Sequence, residues 1–162
     1  MDAVTIPLEN SELCAIVDQG DATTVRKYRW YLHRKGRNRY ARTQLVRDDG
    51  SRHYLRMHVL IMGSTEGAEV DHKDRDGLNN RRDNLRIATR QQNRANSRNI
   101  TNRKSPYRGI FWDNHRAKWK AEITVNGKRV RLGTYAHPAD AARAYDRAAR
   151  EAFGEFASLN FP

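Results

Sequence analysis

The feature that most restricts the fold is an alternating segment that ends at the dipeptide Asn126-Gly127. Over residues 118–125 polar and apolar side chains alternate in the order Lys-Trp-Lys-Ala-Glu-Ile-Thr-Val. Strict alternation is typical of a strand with one buried face, and Asn-Gly favours a tight hairpin turn. An Ala-rich segment, residues 139–153, follows Pro138 and is predicted to be a helix. With residues 107–112 as a further strand, we expect a three-stranded antiparallel sheet backed by one helix, with basic side chains on its free face.

A second pattern, in the middle of the chain, predicts a strand, a loop, a second strand and a helix. Residues 69–72 (Glu-Val-Asp-His) and 85–88 (Leu-Arg-Ile-Ala) are predicted to be short strands, separated by a segment of turn-forming residues. The loop between them contains Asp-Gly and Asn-Asn pairs, which favour turns. Thr89 is a favourable N-cap for a helix over about residues 90–98. The pattern therefore predicts a compact ββα unit.

The first 56 residues predict a small antiparallel β-scaffold, because short alternating segments are separated by turn formers. A short helix is expected at residues 57–62, ending at Gly63. The whole chain is therefore predicted to be α+β. Its expected parts are the N-terminal β-scaffold (1–56), the ββα unit (57–98), a basic linker (99–106) and the C-terminal sheet-and-helix module (107–162).

The charge of the chain indicates a polyanionic partner. The sequence has 31 Lys and Arg residues against 19 Asp and Glu residues, so its formal net charge is +12. Such an excess is typical of proteins that bind nucleic acid. Four arginines recur at every fourth position, without an intervening acidic residue, and a helix would place those it carries on one face: Arg86, Arg90, Arg94 and Arg98. We expect double-stranded DNA as the partner; RNA is a weaker alternative because no RNP or KH motif occurs.

Cysteine usage and hydropathy exclude several classes. Cys14 is the single cysteine, which excludes an internal disulfide and zinc sites that need two or more thiolates. The start of the chain has neither the basic nor the apolar region of a signal peptide, and the longest purely apolar runs have four residues. We expect a protein that is not secreted, has no membrane partner and acts on DNA in the cytoplasm.

Four polar side chains in the predicted ββα unit could support hydrolysis. Asp71 and His72 end the first strand, Asn84 precedes the second strand, and Asn93 lies on the helix. Phosphodiester hydrolysis needs a general base for water, oxygen ligands for a divalent ion and a group that orients the base. An Asp-His pair alone is more often part of a surface turn, and this alternative stays open on the residues alone.

Residues 58–96 resemble the HNH nucleases, which have the ββα-metal fold. The resemblance is carried by the runs Val-Asp-His-Lys-Asp and Asn-Arg-Arg-Asp-Asn-Leu-Arg and by Asn93. It is closest to the phage and intron homing type, in which Asn replaces the last His of the motif.

This resemblance implies specific roles. His72 is implied as the general base, Asp71 and Asn93 as ligands of Mg²⁺ or Mn²⁺, and Asn84 as the side chain that holds the His72 ring. Asn84 and Asn93 follow His72 by 12 and 21 residues, counted on this chain, which fits the family pattern. His58 matches an upstream His of the family and is expected to pack rather than react. No cysteine pairs frame the motif, so no structural zinc is expected.

Residues 105–162 resemble the AP2 DNA-binding domain over nearly their whole length. The resemblance is carried by the runs Tyr-Arg-Gly-Ile, Trp-Lys-Ala-Glu-Ile, Arg-Leu-Gly-Thr-Tyr and Ala-Ala-Arg-Ala-Tyr-Asp. That family lays its sheet in the DNA major groove. The implied DNA contacts are Arg108, Lys118, Lys120, Glu122, Thr124, Arg129 and Arg131. Arg131 stands where plant members have Trp, and Thr124 stands where Arg is common, so the base preference is not carried over.

These patterns together predict a site-specific DNA endonuclease of the HNH homing type, encoded by a phage or an intron. Its arginine-bearing helix (Arg90, Arg94, Arg98) and its AP2 module would hold the duplex. The alternative is a non-catalytic DNA-binding transcriptional regulator. Monomer and homodimer stay open, as do nicking and double-strand cleavage. If the two modules are independent, a chain that ends at Lys104 is expected to cut DNA weakly and without selectivity.

Overall fold

The computed structural model describes residues 2–36, 38–63, 67–97 and 105–162. They divide into two compact units, Met1–Thr89 and Arg90–Pro162. Every sheet in this part of the chain is small and antiparallel, with two or three strands. The predicted α+β fold class is confirmed.

The first unit contains three sheets and two short helices. Its elements in chain order are β1 Ala3–Leu8, β2 Ser11–Asp18, α1 Gln19–Val25, β3 Tyr31–Lys35, β4 Asn38–Val46, β5 Arg52–Arg56, α2 Met57–Met62, β6 Glu69–His72 and β7 Leu85–Ala88. β1 pairs with β2, β4 lies between β3 and β5, and β6 pairs with β7. The strands predicted at 69–72 and 85–88 and the helix predicted at 57–62 are confirmed, whereas α1 was not predicted.

One hydrophobic core joins the N-terminal strands to β6 and β7. Val17, Trp30 and Met57 are fully buried and belong to the same cluster as Val70 and Leu85. Each large side chain buried in this way contributes about 1.5–3 kcal/mol of transfer free energy. The N-terminal strands therefore stabilise the ββα strands directly.

The second unit contains α3 Arg90–Asn96, β8 Ile110–Asp113, β9 Lys118–Val125, β10 Lys128–Tyr135, α4 Pro138–Phe153 and the 3₁₀ turn Gly154–Phe156. The sheet order is β10-β9-β8. Asn126 and Gly127 have φ angles of 51° and 75°, as the predicted tight hairpin requires. Ala121, Ile123 and Tyr145 form the core between the sheet and α4. The expected sheet backed by one helix is confirmed, although β8 begins later than predicted.

Some predictions fall outside the described residues. Arg98 and most of the linker predicted at 99–106 belong to this group. Within the described ranges, α3 extends from Arg90 to Asn96, close to the predicted helix. None of the helices in these ranges is long and apolar enough to cross a membrane.

Candidate active site

His72 lies at the end of β6, in a cluster of aromatic rings. Its side chain is largely buried, with 5% of the residue exposed. The His58 ring packs edge-on against it, with 4.7 Å between the ring centroids, and the Tyr40 ring lies 6.1 Å away. These contacts restrict the rotation of the imidazole.

The side-chain amide of Asn80 contacts the imidazole. It is fully buried, and its Oδ1 lies 3.3 Å from His72 Nε2. Its Nδ2 donates to the Leu78 carbonyl at 3.0 Å, which points Oδ1 towards the ring. Because an amide oxygen only accepts, the neutral ring must carry its proton on Nε2 in this contact. The basic lone pair of that tautomer is on Nδ1.

Asn84 has other partners. Its Oδ1 accepts the Asp74 backbone N–H at 3.1 Å, and its Nδ2 donates to Asp74 Oδ1 at 3.0 Å and to the Asn79 carbonyl at 2.8 Å. These bonds close the loop between β6 and β7. The implied role of Asn84, holding the His72 ring, stays a prediction, and the structure places the side chain on the loop that leads to Asn80.

The same loop is fixed to the N-terminal hairpin by backbone hydrogen bonds. Ile16 on β2 donates to the Leu78 carbonyl at 2.8 Å and accepts from the Asn80 N–H at 2.7 Å. The two bonds form a short parallel bridge on both sides of Asn79. The backbone of Asn80 is therefore held by β2 while its side chain contacts His72.

Two buried carboxylates at the end of β2 and in α1 hold the loop arginines. Asp18 accepts from Arg81 Nε at 3.0 Å and from the Arg82 backbone N–H at 2.8 Å. Asp21 accepts from Arg82 through two bonds, of 2.9 and 2.7 Å. Two-bond Arg–carboxylate pairs fix geometry more strongly than single contacts. The N-terminal segment thus positions the loop of the candidate site.

Asp71, the residue implied as a metal ligand, is paired with Arg86. The two residues are opposite each other in the β6–β7 register. Arg86 Nε and Nη2 lie 3.0 and 2.9 Å from Asp71 Oδ2, and both side chains are largely buried. The predicted arginine series therefore begins with a residue that lies on a strand and neutralises a buried carboxylate.

Burial keeps both histidines of the cluster neutral near pH 7. It lowers the pKa of His72 below the ordinary value of 6.5, although the Asn80 hydrogen bond and the charges of Asp74 and Asp71 oppose this shift. Burial and the charges of His72 and Arg56 lower the pKa of His58 well below 6.5. His58 Nδ1 is buried without a hydrogen-bond partner among the described residues. A neutral His72 is in the protonation state that a general base requires.

The implied metal ligands are compatible with Mg²⁺ or Mn²⁺ in their chemistry. Asp71 offers carboxylate oxygen and Asn93 offers amide oxygen, which hard divalent cations prefer. Asp71 lies on β6 in the first unit and Asn93 on α3 in the second unit. Within the described ranges, no three His, Cys, Asp or Glu side chains form a cluster that could hold a metal ion.

The expected DNA-contacting side chains of the second unit lie on one face of its sheet. On β9 they alternate with Ala121 and Ile123, which are buried against α4. This face includes Lys118, Lys120, Glu122, Thr124, Arg129 and Arg131. Arg129 is exposed and lies 3.7 Å from the Glu122 carboxylate.

A cleft of about 510 Å³ connects this face to α3. Its polar lining includes Arg90, Arg94, Arg108, Glu122 and Arg129. Four positive side chains against one carboxylate make the cleft basic. Two arginines predicted on the helix and two predicted in the AP2 resemblance therefore line the same cleft.

Arg108 differs from the other residues implied as DNA contacts, because its guanidinium donates to backbone carbonyls of the protein. Its guanidinium donates to the backbone carbonyls of Arg94, Ala95 and Ser97, at 3.1, 2.8 and 3.0 Å. Those carbonyls form the C-terminal end of α3, where helices leave acceptors without intrahelical partners. The structure therefore shows Arg108 as a helix cap, a role that the sequence did not reveal.

Comparisons with known proteins identify two domains. A family model described as HNH endonuclease matches residues 62–95, and a family model described as AP2 domain matches residues 105–155. An uncharacterized HNH endonuclease of Acanthamoeba polyphaga mimivirus is 34% identical over 139 residues, which cover 84% of this chain and 68% of the relative.

Two further relatives each match one part of the chain. Protein 3.8 of Escherichia phage T7 is 32% identical over 79 residues, covering 46% of this chain and 65% of the phage protein. Dehydration-responsive element-binding protein 2E of Arabidopsis thaliana is 47% identical over 55 residues, covering 28% of this chain and 22% of the plant protein. The chain thus spans about two thirds of the viral relatives and less than a quarter of the plant relative.

Proposed function

Because the chain belongs to the HNH endonuclease family and also carries an AP2 domain, we propose that it hydrolyses phosphodiester bonds of double-stranded DNA at specific sites, with His72 as the general base. The observation that most supports this proposal is the pairing of a buried neutral His72 with Asn80. This pairing provides a base of defined tautomer next to a carboxylate, Asp71.

His72 takes one proton from the attacking water. With the Nε2 proton held by Asn80, the proton is accepted at Nδ1. The water oxygen then bonds to phosphorus in line with the 3′ oxygen, whose bond to phosphorus breaks. The negative charges of Asp74 and Asp71 stabilise the resulting imidazolium and partly oppose the lowering of the His72 pKa by burial.

Asp71 and Asn93 would hold a divalent ion, Mg²⁺ or Mn²⁺. When bound, such an ion supplies positive charge that stabilises the departing 3′ oxygen. Arg86 pairs with the Asp71 carboxylate and fixes its orientation on β6. No structural zinc is proposed.

Two further residues are proposed to support the base. Asn84, which was expected to contact His72 directly, would instead act by closing the loop that carries Asn80. His58 would act by packing against the imidazole, as its edge-on contact and burial indicate.

DNA would be held by basic side chains on both α3 and the AP2 sheet. Arginines are well suited to phosphate contacts, which fix register, and sheet side chains in the major groove read bases. The proposed contacts are Arg90, Arg94, Lys118, Lys120, Glu122, Thr124, Arg129 and Arg131, together with Arg98 outside the described residues.

We assign a separate proposed role to each of three parts of the chain. Residues 57–98 would carry the catalytic side chains, residues 107–162 would recognise DNA, and residues 1–56 would support the catalytic loop through β2. The relatives in mimivirus and in phage T7 support a viral origin. A phage or intron origin is proposed from the resemblance to the homing type.

Cleavage-site mapping tests this proposal. The purified chain is incubated with a random DNA library in Mg²⁺, in Mn²⁺ and in EDTA, and the ends of the products are sequenced. The proposal predicts metal-dependent ends that share a sequence motif. Specific binding without new ends in either metal would favour the alternative of a non-catalytic DNA-binding regulator.

A further inference from the structure

The cap that Arg108 forms on α3 connects the AP2 domain to a helix that the HNH motif needs. The three accepting carbonyls belong to Arg94, Ala95 and Ser97, at the end of the helix that carries Asn93. A guanidinium suits this position because the C-terminal end of a helix has partial negative charge. The donor is therefore matched to the helix end in both geometry and charge.

α3 depends strongly on such contacts. It has seven residues, Arg-Gln-Gln-Asn-Arg-Ala-Asn, and its only apolar side chain is Ala95. Helices of this length are marginal on their own, and tertiary contacts normally stabilise them through an apolar face, which α3 lacks. Besides Arg108, α3 packs against the 3₁₀ turn Gly154–Phe156, which is also in the second unit.

Arg108 itself is held firmly to the AP2 core. Its backbone N–H donates to Asn160 Oδ1 at 2.7 Å, and its carbonyl accepts from Asn160 Nδ2 at 3.3 Å. Asn160 in turn donates from its backbone and its side chain to the buried Asp146 of α4, at 2.8 and 3.0 Å. Gly109 has a φ of 72°, and a Cβ at this position would collide with the Tyr145 ring. The segment that presents Arg108 is thus fixed at its backbone.

We propose that Arg108 is a positioning residue for cleavage, which acts through α3 and Asn93. The AP2 domain would then hold the helix that carries one proposed metal ligand, as well as recognise DNA. This inference rests on the proposed function, since it requires Asn93 to be a metal ligand. It reverses the expectation of independent modules: a chain that ends at Lys104 lacks the cap, and its cleavage should fail even at saturating DNA.

The test compares five chains that span residues 1–162: wild type, Arg108→Ala, Arg108→Lys, Arg147→Ala and Arg131→Ala. Arg147 is an exposed arginine on α4, so its variant removes the same charge from the same domain without touching α3. Arg131→Ala serves as the reference for loss of a DNA contact. Circular dichroism and thermal unfolding establish that each variant is folded.

Three readouts are measured. The first is the single-turnover cleavage rate at saturating DNA as a function of Mg²⁺ concentration. The second is the slope of log Kd against log salt concentration, measured without cleavage in EDTA. The third is amide hydrogen exchange in peptides that span residues 90–97, which does not require activity.

The proposal predicts a specific combination of results. Arg108→Ala should raise the Mg²⁺ concentration for half-maximal rate at least tenfold and speed exchange in residues 94–97. Its salt slope should stay within half a unit of wild type. Arg108→Lys should recover part of the metal affinity, because an ammonium group can still donate to one or two of the carbonyls. Arg147→Ala should match wild type in all three readouts.

Other results would overturn the proposal. If Arg108→Ala flattens the salt slope by about 0.9 with unchanged metal dependence, Arg108 is a phosphate contact. If exchange in α3 rises while the rate and metal dependence stay unchanged, the cap is structural only. If the wild type does not cleave in any divalent metal, the proposed function itself has failed, and the exchange readout still reports whether the cap exists.

Discussion

Replacement of Asn80 tests the assigned orientation of the catalytic imidazole. Asn80→Ala removes the acceptor 3.3 Å from His72 Nε2 and the donor 3.0 Å from the Leu78 carbonyl. The residue is fully buried, so water cannot readily replace either partner. The backbone bond to Ile16 is retained, because alanine keeps the N–H.

The expected magnitudes follow from these contacts. Loss of the acceptor of the buried His72 donor costs about 1–3 kcal/mol, and loss of one of the two hydrogen bonds to the Leu78 carbonyl, which keeps its bond from Ile16, costs about 0.5–1.5 kcal/mol, so the free energy of unfolding should fall by about 1.5–4.5 kcal/mol. The imidazole also loses its fixed tautomer and orientation. A misplaced catalytic group can cost about 10²-fold in rate, which corresponds to about 2.7 kcal/mol in activation free energy.

Asn80→Asp gives the sharper assay, because it keeps an acceptor and adds a negative charge. A carboxylate beside His72 favours the imidazolium, so the pKa of His72 should rise. Because the base acts in its neutral form, the midpoint of the rate against pH should move to higher pH by about one unit or more. Single-turnover cleavage at saturating DNA and constant ionic strength, from pH 5 to 9, measures this midpoint.

Asn84→Ala is the matched comparison, since Asn84 is a buried asparagine of the same loop. It should loosen the loop without adding a charge beside His72, so the midpoint should not rise as it does in Asn80→Asp. If Asn84→Ala abolishes cleavage while both Asn80 variants retain the wild-type rate and midpoint, the assignment of Asn80 is refuted. Asn84 would then hold the base, as the family resemblance implied.

Three further predictions concern the metal, the DNA and the buried histidine. Asp71→Asn and Asn93→Ala should each raise the Mg²⁺ concentration for half-maximal rate, because each removes one of two protein ligands; unchanged activity in EDTA would contradict this. If Arg131 contacts a base, Arg131→Ala should weaken DNA binding by about 1–3 kcal/mol and relax selectivity at one or two base pairs. If Arg131 contacts phosphate, the variant should flatten the slope of log Kd against log salt concentration by about 0.9. Competition binding across a salt series distinguishes the two results. Burial lowers the pKa of His58 well below 6.5, so the contribution of the neutral ring to stability is complete above about pH 6.5 and is lost as the pH falls below that value. The free energy of unfolding in urea, measured at pH 7.5 and 5.5, should therefore change less with pH in His58→Leu than in wild type. An equal change in both proteins would argue against a buried neutral ring.

Local patterns in the sequence were sufficient to predict much of the fold. The hairpin at Asn126-Gly127 was predictable because both residues tolerate the positive φ that the turn requires. β9 has the bounds Lys118–Val125 that its alternation predicts, since one face packs on α4. By contrast, α1 was missed because Gln19–Val25 has little helical periodicity, and it is fixed by packing and by the pairing of Asp21 with Arg82.

The sequence indicated candidate residues for the site but not their contacts, and the roles assigned to those residues stay predictions. The Asn-Asn pair in the loop indicated a turn, and no sequence signal distinguished Asn80 as the partner of His72. That contact depends on β2, because Ile16 holds the backbone on both sides of Asn79 across more than 60 residues of chain. The Arg108 cap is likewise a tertiary contact, and the resemblance to AP2 domains pointed only to DNA. Long-range contacts of this kind require the folded structure.

The most direct test of the central claim is cleavage of a supercoiled plasmid by wild type and by His72→Ala, at matched DNA occupancy in Mg²⁺. The imidazole acts on water and not on the duplex, so the variant should lose nearly all cleavage while its Kd stays within a few fold of wild type. Wild-type cleavage should also disappear in EDTA. If His72→Ala cuts as fast as wild type, or loses binding in proportion to cleavage, His72 is not the general base and the proposed mechanism is wrong.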